Sequence, residues 1–363
     1  MTHHTQKITF ILIGVLFVSC AKTLPPEEPE VYPPQDQDLV TVVFSATGDR
    51  KTKVTAISDA DETNIGRWAV FAFENGSGHF RAENSSSGSP LPLQLIAGRE
   101  YTCYAIVNYP VTGTGAFDPS SVRNQDDLTD KIAYLGDNTQ SALLMFGGTV
   151  ITPVAEATES VTINVRRLVS RIDLRGLEVD FSGKPGLESK TFTLRGVYVT
   201  NAYRTTRYGN DYTYAELSPT RSAWYNTGGW HRGESPESRL DALLGDRGIN
   251  TVVSALSPYT GIHSFYTFPN PTELVNDVRT IESWTRRCTR LVIEASIGDD
   301  IVYYAITAPQ MIRNRIYAAS NVVIRGRGSN DPEVIDIDPE VILASVEPVI
   351  DDSWDGAGSI TLE

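Results

Sequence analysis

The chain has 363 residues and a formal net charge of −14, because 45 Asp and Glu residues outnumber 31 Lys and Arg residues. With no long basic cluster to neutralise phosphates, this balance argues against nucleic-acid binding. Three cysteines are too few for a disulfide framework and lack the close spacing of a zinc site. The length is that of two domains of roughly 100–200 residues each.

The N-terminus has the pattern of an export signal. In residues 1–19, an apolar run of about eleven residues is too short to span a bilayer, which needs roughly 20. Residues 16–20 (LFVSC) resemble a lipobox, with Phe17 where Leu is commonest, and predict lipidation of Cys20. The alternative is an ordinary cleaved signal that happens to end near a cysteine. Acyl chains on Cys20 would tether the exported protein to a membrane.

A spacer and a strand follow. Residues 20–38 are rich in proline and acid, which predicts an extended, solvated linker. From Leu39 the sequence changes to LVTVVFSATGDR, in which apolar residues at 40, 42, 44 and 46 alternate with their neighbours. This period of two predicts a half-buried first strand.

The remaining pattern is also that of a β protein. The chain contains 28 Gly, 20 Pro and 16 Tyr residues, together with many Val, Ile and Thr residues, and this composition favours short strands joined by turns. Further strands are expected at 68–73, 91–96, 101–107 and 143–146. In VTINVRRLVSRIDLRGLEVDF the apolar pattern continues across Arg167, which predicts an N-terminal domain at 39–167 and a C-terminal domain at 168–363.

The second half holds the clearest hairpin, RLVIEAS-IGDD-IVYYAIT, with Gly298 in the turn. We interpret residues 204–250 as loops with one short helix near 239–244. The tail is apolar and β-like almost to its end, so we expect it to pack against something, since chain ends otherwise fray.

Four segments in this order resemble the fimbrillins, the subunits of the type V pili of Bacteroides-type Gram-negative anaerobes: the lipobox at Cys20, the strand ending in SATGDRKTK, the central VRRLVSRIDL, and RNRIYAASNVVIRGRGSNDPE with the apolar tail. The resemblance implies an all-β fold of two tandem transthyretin-like, Greek-key β-sandwich domains. It also implies a structural pilus subunit that supports adhesion, located at the outer membrane as a lipoprotein precursor and then in the surface fimbria.

The resemblance further implies assembly by donor-strand exchange with other pilin subunits. An arginine-specific protease cuts after an arginine just past the first strand, and a neighbour's C-terminal strand fills the slot that the first strand leaves. Arg50 matches the cleaved position; the alternative is an ordinary solvated arginine, and Arg67 is a weaker candidate. The expected donor segment contains Val341, Leu343, Val346, Val349 and Trp354. The alternative is a last strand that completes its own sandwich.

The sequence carries no recognisable motif for catalysis or for a cofactor. His79, His231 and His263 are scattered and stand in no catalytic or metal-binding motif, so we expect no enzyme, cofactor or metal. Cys103 and Cys288 are expected to be buried free thiols unless the fold brings them together. Two alternatives stay open: an anchor or tip subunit of the pilus, and a surface lipoprotein that binds glycans through the aromatic residues between Tyr198 and Trp230.

Overall fold

The computed structural model describes residues 39–48, 62–74, 77–84, 90–155, 158–225, 241–273, 286–331, 341–349 and 354. In these ranges the chain is almost entirely β-structure, which confirms the predicted all-β class. The strands are β1 (Leu39–Gly48), β2 (Trp68–Glu74), β3 (Ser77–Asn84), β4 (Leu91–Ile96), β5 (Tyr101–Val107), β6 (Ile132–Tyr134), β7 (Met145–Ile151), β8 (Glu159–Arg167), β9 (Ser170–Val179), β10 (Phe192–Thr200), β11 (Ala202–Tyr203), β12 (Thr205–Arg207), β13 (Trp224–Tyr225), β14 (Gly245–Val253), β15 (Tyr259–Thr267), β16 (Arg290–Ile297), β17 (Asp300–Thr307), β18 (Ile316–Ile324) and β19 (Ile342–Val349). Two short helices, α1 (Gln125–Thr129) and α2 (Asp241–Leu244), lie between them.

Seven strands of the first half form one sheet in the order β3-β2-β5-β7-β8-β1-β4. Strand β8 joins its two parts, because it pairs with β7 at one end and runs parallel to β1. Inward side chains from both parts share an apolar cluster that includes Val42, Trp68 and Leu93. The sheet therefore closes over its own core in a sandwich-like arrangement.

Strands of the second half form two four-stranded sheets, β14-β10-β16-β17 and β15-β9-β18-β19. Residues of both, such as Leu174 and Ile293, belong to one buried cluster, so the two sheets pack face to face. The hairpin predicted from the sequence is confirmed: β16 and β17 pair antiparallel from Arg290 opposite Thr307 to Ile297 opposite Asp300. Gly298 in its turn has φ +63°, a conformation that favours glycine.

The expected domain boundary falls in the link between β8, which ends at Arg167, and β9, which begins at Ser170. Contacts also join the two halves. Strand β12 pairs with β6, and the amides of Tyr208 and Gly209 donate hydrogen bonds to the carbonyls of Lys131 and Thr129, at 3.0 and 2.8 Å. The division into two domains stays a prediction.

One expectation needs correction. Residues 204–250 are not only loops with a helix: α2 lies where the helix was expected, but β12, β13 and most of β14 lie there too. Strand β14 is an edge strand with mostly exposed residues and little apolar alternation, so its pairing with β10 defines it and its own pattern does not. Strand β3 was likewise not expected. Among the described residues, no helix is long and apolar enough to cross a bilayer.

Candidate functional site: the first and last strands

The first strand occupies an interior position of its sheet. It pairs antiparallel with β4, from Leu39 opposite Ile96 to Phe44 opposite Leu91, and parallel with β8, from Val42 opposite Glu159 to Gly48 opposite Val165. Both of its backbone edges are therefore hydrogen-bonded. Removing β1 would expose one edge of β4 and one edge of β8, together with the space between them.

The side chains of β1 follow the alternation predicted from the sequence. Val40, Val42 and Phe44 are buried in the core of the first sheet, with 3%, 0% and 0% exposure. On the opposite face, Thr41 Oγ1 accepts a hydrogen bond from Gln94 Nε2 at 2.9 Å. The slot that β1 fills is thus lined with apolar groups on one side and with backbone hydrogen-bonding groups along both edges.

The last strand, β19, has the opposite character. Among the described strands it pairs only with β18, so it is an edge strand, and its register shifts between Ser320 and Val323. Val346 is buried against the core of the second sandwich, whereas Leu343 is 54% exposed. One ladder and one row of inward side chains hold this strand.

Beyond β19, Trp354 is fully buried on a charged cluster. Its Nε1 donates to Glu62 Oε2 at 2.8 Å, and its ring stacks on Tyr266 with 6.1 Å between centroids. The guanidinium carbons of Arg167 and Arg171 lie 4.4 and 5.6 Å from the indole centroid. Burial of an indole with such contacts contributes about 3–5 kcal/mol, judged by typical Trp→Ala costs.

Glu62 is the hub of this cluster. Its carboxylate accepts hydrogen bonds from Arg171 Nη1 at 2.9 and 3.1 Å and from the Tyr266 hydroxyl, in addition to the indole. Its backbone carbonyl accepts from Arg167 Nε at 3.0 Å. Asp173, also fully buried, binds Arg171 through two hydrogen bonds of 2.9 and 3.1 Å. The charges are buried but paired, which is what makes their burial tolerable.

The electrostatics of the cluster keep its donors protonated. Burial raises the pKa of Tyr266 far above its ordinary value, and the adjacent Glu62 carboxylate raises it further. Burial alone would lower the pKa of Arg171, but the carboxylates of Asp173 and Glu62 outweigh that effect and raise it. Both groups therefore donate to Glu62 at any physiological pH.

Some of the predicted site residues lie within the described part of the chain and others do not. Cys20 and Arg50 lie outside the described residues, so lipidation and cleavage stay predictions. Of the expected donor residues, Val341 is half-buried, Leu343 points to solvent and Trp354 is buried. In this structure β19 completes its own sandwich, which is the alternative kept open above. The donor assignment itself is not tested by that position.

Sequence reasoning missed the cluster around Glu62. Within DADETNIGR this residue has the pattern of a solvated acid. The available signal was the alternation of Arg171, Asp173 and Arg175 on a strand whose other residues, such as Ile172, are buried. Charges on one face of an otherwise apolar strand indicate that something charged covers that face.

The structure also locates the aromatic residues, the cysteines and the metal-ligating residue types considered in the sequence. Tyr198, Tyr203, Tyr208, Trp224 and Tyr225 are buried, so they do not form the exposed aromatic platform that glycan binding would require; Trp230 lies outside the described residues. Cys103 and Cys288 are buried free thiols, and burial raises the pKa of Cys103 to about 12. The described part of the chain brings no three His, Cys, Asp or Glu residues together as a metal site.

No known sequence family and no curated protein match the chain. Several solved structures are similar to the structure of this chain. A proposed cell adhesion protein from Bacteroides eggerthii DSM 20697 is similar with a TM-score of 0.60 and 18% identity, covering 86% of this chain and 96% of its own. A fimbrilin from Porphyromonas gingivalis W83 is similar with a TM-score of 0.56 and 15% identity, covering 86% and 97%.

The chain has the fold of a fimbrilin. A proposed cell adhesion protein from Parabacteroides distasonis ATCC 8503 shares it as well, with a TM-score of 0.56, 17% identity and coverage of 86% of this chain and 99% of its own. At these identities the likeness concerns the fold. The resemblance inferred from the sequence is therefore confirmed at that level.

Proposed function

We propose that this protein is a structural subunit of a cell-surface fimbria and not an enzyme. In this proposal the chain reaches the outer membrane as a lipoprotein acylated at Cys20. Cleavage after Arg50 by an arginine-specific protease then frees β1. The C-terminal strand of another subunit fills the slot, and repetition builds a fibre that supports adhesion. The fimbrilin and adhesion proteins of the same fold support this assignment.

The observation that carries the proposal is the contrast between the first and last strands. Strand β1 pairs on both edges, whereas β19 pairs on one edge with any strand that the structure describes. A tail that leaves β18 and enters the vacated slot of a neighbour exchanges one backbone ladder for two. In the vacated slot, burial of three side chains like Val40, Val42 and Phe44 is worth on the order of 5–9 kcal/mol, taking roughly 1.5–3 kcal/mol for each, against which the burial of Val346 in its own sandwich is lost.

Alternation in the tail fits the slot. Ile342, Ala344 and Val346 face the core of their own sandwich at a spacing of two, as Val40 and Val42 do in β1. A strand with one apolar face suits either place, because the side-chain period of two is the same in both.

The first test is the N-terminus of the mature surface protein, measured by mass spectrometry. A terminus at Lys51 is expected. In the variant Arg50→Ala this species disappears, while Arg67→Ala, a half-buried arginine over the Tyr109 ring, is processed normally. A mature protein that keeps acylated Cys20 and its first strand would contradict a stalk role and indicate an anchor subunit.

The second test addresses the donor. Deleting the chain after Pro339 also removes β19 from its own core, so a substitution is the cleaner probe. Leu343 is 54% exposed in the monomer, so Leu343→Asp leaves the monomer folded; in the slot its face would take the place of the half-buried Thr41 and Val43, so the added charge weakens the ladders of SDS-resistant polymer. Val252→Asp, at 58% exposure on β14, is the matched control and polymerises normally. Normal fibres from Leu343→Asp would exclude Leu343 from the contact between the donor strand and the slot.

A further inference from the structure

The two regions that the proposed exchange must set free meet at one contact. Trp354 follows β19 by five residues, and Glu62 follows Arg50 by twelve. The indole of Trp354 and the carboxylate of Glu62 are joined by the 2.8 Å hydrogen bond, with both residues at or near zero exposure. The cleavage region and the donor tail are thus linked within a single chain.

On the tail side, Trp354 is the strongest described anchor. Strand β19 itself has one ladder, a register shift, and an exposed Leu343 beside the buried Val346. Edge strands with these features open easily. A fully buried indole five residues beyond the strand tethers it, because a tail that leaves its own sandwich altogether must draw Trp354 off Tyr266 and Glu62.

On the N-terminal side, Glu62 depends on the chain that precedes it. Strand β1 is held in the first sheet and Glu62 in its charged cluster, so the segment between Gly48 and Glu62 is closed at both ends. A cut within a closed segment restores its conformational entropy and weakens the docking of its end. After cleavage, Glu62 is held from one side of the chain only, by the residues leading to Trp68.

From this geometry we propose that Trp354 seated on Glu62 is a lock that keeps β19 in its own sandwich until the chain is cut between β1 and Glu62. The lock rests on the proposed function for its purpose, since it would prevent donation before the acceptor slot exists. The residue that closes the lock, Trp354, belongs to the tail of the same chain. When Trp354 leaves Glu62, the donor strand is freed at the stage when the slot opens.

The lock is tested in the uncut full-length protein by hydrogen exchange of the β19 amides, 342–349. Trp354→Ala accelerates their exchange by about tenfold or more. The matched control is Trp224→Ala, which removes another buried indole, hydrogen-bonded to Ser218 O at 3.1 Å, and leaves β19 exchange unchanged. Unchanged protection in strands β16 and β17 shows that each variant is folded. Equal β19 protection in Trp354→Ala and the parent chain would overturn the lock.

Glu62→Ala provides a second variant whose tail sequence is intact. Arg171 keeps its two hydrogen bonds to Asp173, so the fold survives, and β19 exchange in the uncut variant approaches that of the cut parent chain. After proteolysis, polymer ladders form at least as fast as in the parent chain, because the cut has released the lock in both proteins; slower growth counts against the lock.

Failure of the lock and failure of the proposed function are distinguishable. The exchange measurements on uncut protein need no protease, so they stand even if Arg50 is never cleaved. Conversely, the parent chain could be cleaved and form polymers while β19 in uncut Trp354→Ala and Glu62→Ala is as protected as in the uncut parent. That result would support the function and exclude the lock.

Discussion

At the scale of single residues, one glycine sets which side chains of β9 face the core. Gly176 in β9 has φ +79°, and β15 shifts register beside it, between Tyr259 and Ile262. Before this bulge Leu174 faces the core; after it Leu177 does, three positions later. The bulge therefore keeps apolar side chains inward on both sides of it.

Gly176→Ala tests that bulge. A Cβ at this position would lie 2.8 Å from the carbonyl oxygen of Tyr259, in addition to the cost of the left-handed conformation. We expect a loss of about 2–4 kcal/mol in the free energy of unfolding, measured by urea denaturation. Gly183→Ala is the control: it has φ +70° and open space around the Cβ, so it costs about 1 kcal/mol. Equal costs would show that the contact with Tyr259 is irrelevant.

At the scale of elements, the proposed exchange makes β1 integral to the precursor and dispensable after cleavage. Phe44→Ala is expected to destabilise the uncut chain by about 3–5 kcal/mol, because this ring is fully buried. Val43→Ala, on the half-buried face, costs far less. Once protease has removed β1, the Phe44→Ala and parent proteins have equal thermal midpoints; a persisting difference would mean that β1 stays bound.

Strands β14 and β15 are joined by a histidine. His263 Nδ1 lies 3.0 Å from Asp246 Oδ2, and its Nε2 lies 2.7 Å from the Tyr259 hydroxyl. Burial lowers the pKa of His263, and this effect outweighs the opposing influence of Asp246. The folded protein therefore binds this proton less readily than the unfolded chain does.

The sign of the pH dependence follows. Above the pKa of an unfolded histidine, about 6.5, neither state carries the proton and stability is full; as the pH falls, the unfolded chain protonates first and stability is lost. His263→Gln should reduce the loss in the free energy of unfolding between about pH 7 and pH 5, measured by urea denaturation. Asp246→Asn, which removes the favourable carboxylate, should enlarge it. An identical loss in His263→Gln and the parent would exclude this histidine as a contributor.

At the scale of the whole molecule, the proposed donor strand and the proposed acceptor slot lie in different sheets of one chain. Strand β1 belongs to the seven-stranded sheet and β19 to a sheet of the second half. A contact between such unlike surfaces is head-to-tail, so it does not close into a two-fold dimer and can continue into a filament.

A free tail should therefore cap growth. A synthetic peptide of residues 341–354 added to cut subunits is expected to raise their thermal midpoint and to stop ladder formation in proportion to its concentration. A peptide of the same composition in scrambled order is the control, because it lacks the period of two that fits the slot. Continued growth at saturating peptide would place the donor elsewhere.

The sequence by itself determined the elements that depend on local pattern. Alternation predicted β1, β4 and β5, and the paired strands around Gly298 predicted the hairpin, because side-chain period and turn chemistry are local properties. The tail was correctly expected to pack against something, and the order of four segments indicated the fold. The edge strands β3 and β14 were missed, since their apolar pattern is weak and their partners define them.

Only the tertiary structure decided what covers each face. It placed Glu62 and Trp354 together on the charged face of β9. The two residues are almost 300 positions apart in the sequence, so no local sequence pattern predicts their contact. It also placed β1 between two partners and β19 beside one. Strand order and long-range burial depend on which distant surfaces satisfy each other's hydrogen bonds and apolar area, and these are properties of the whole chain.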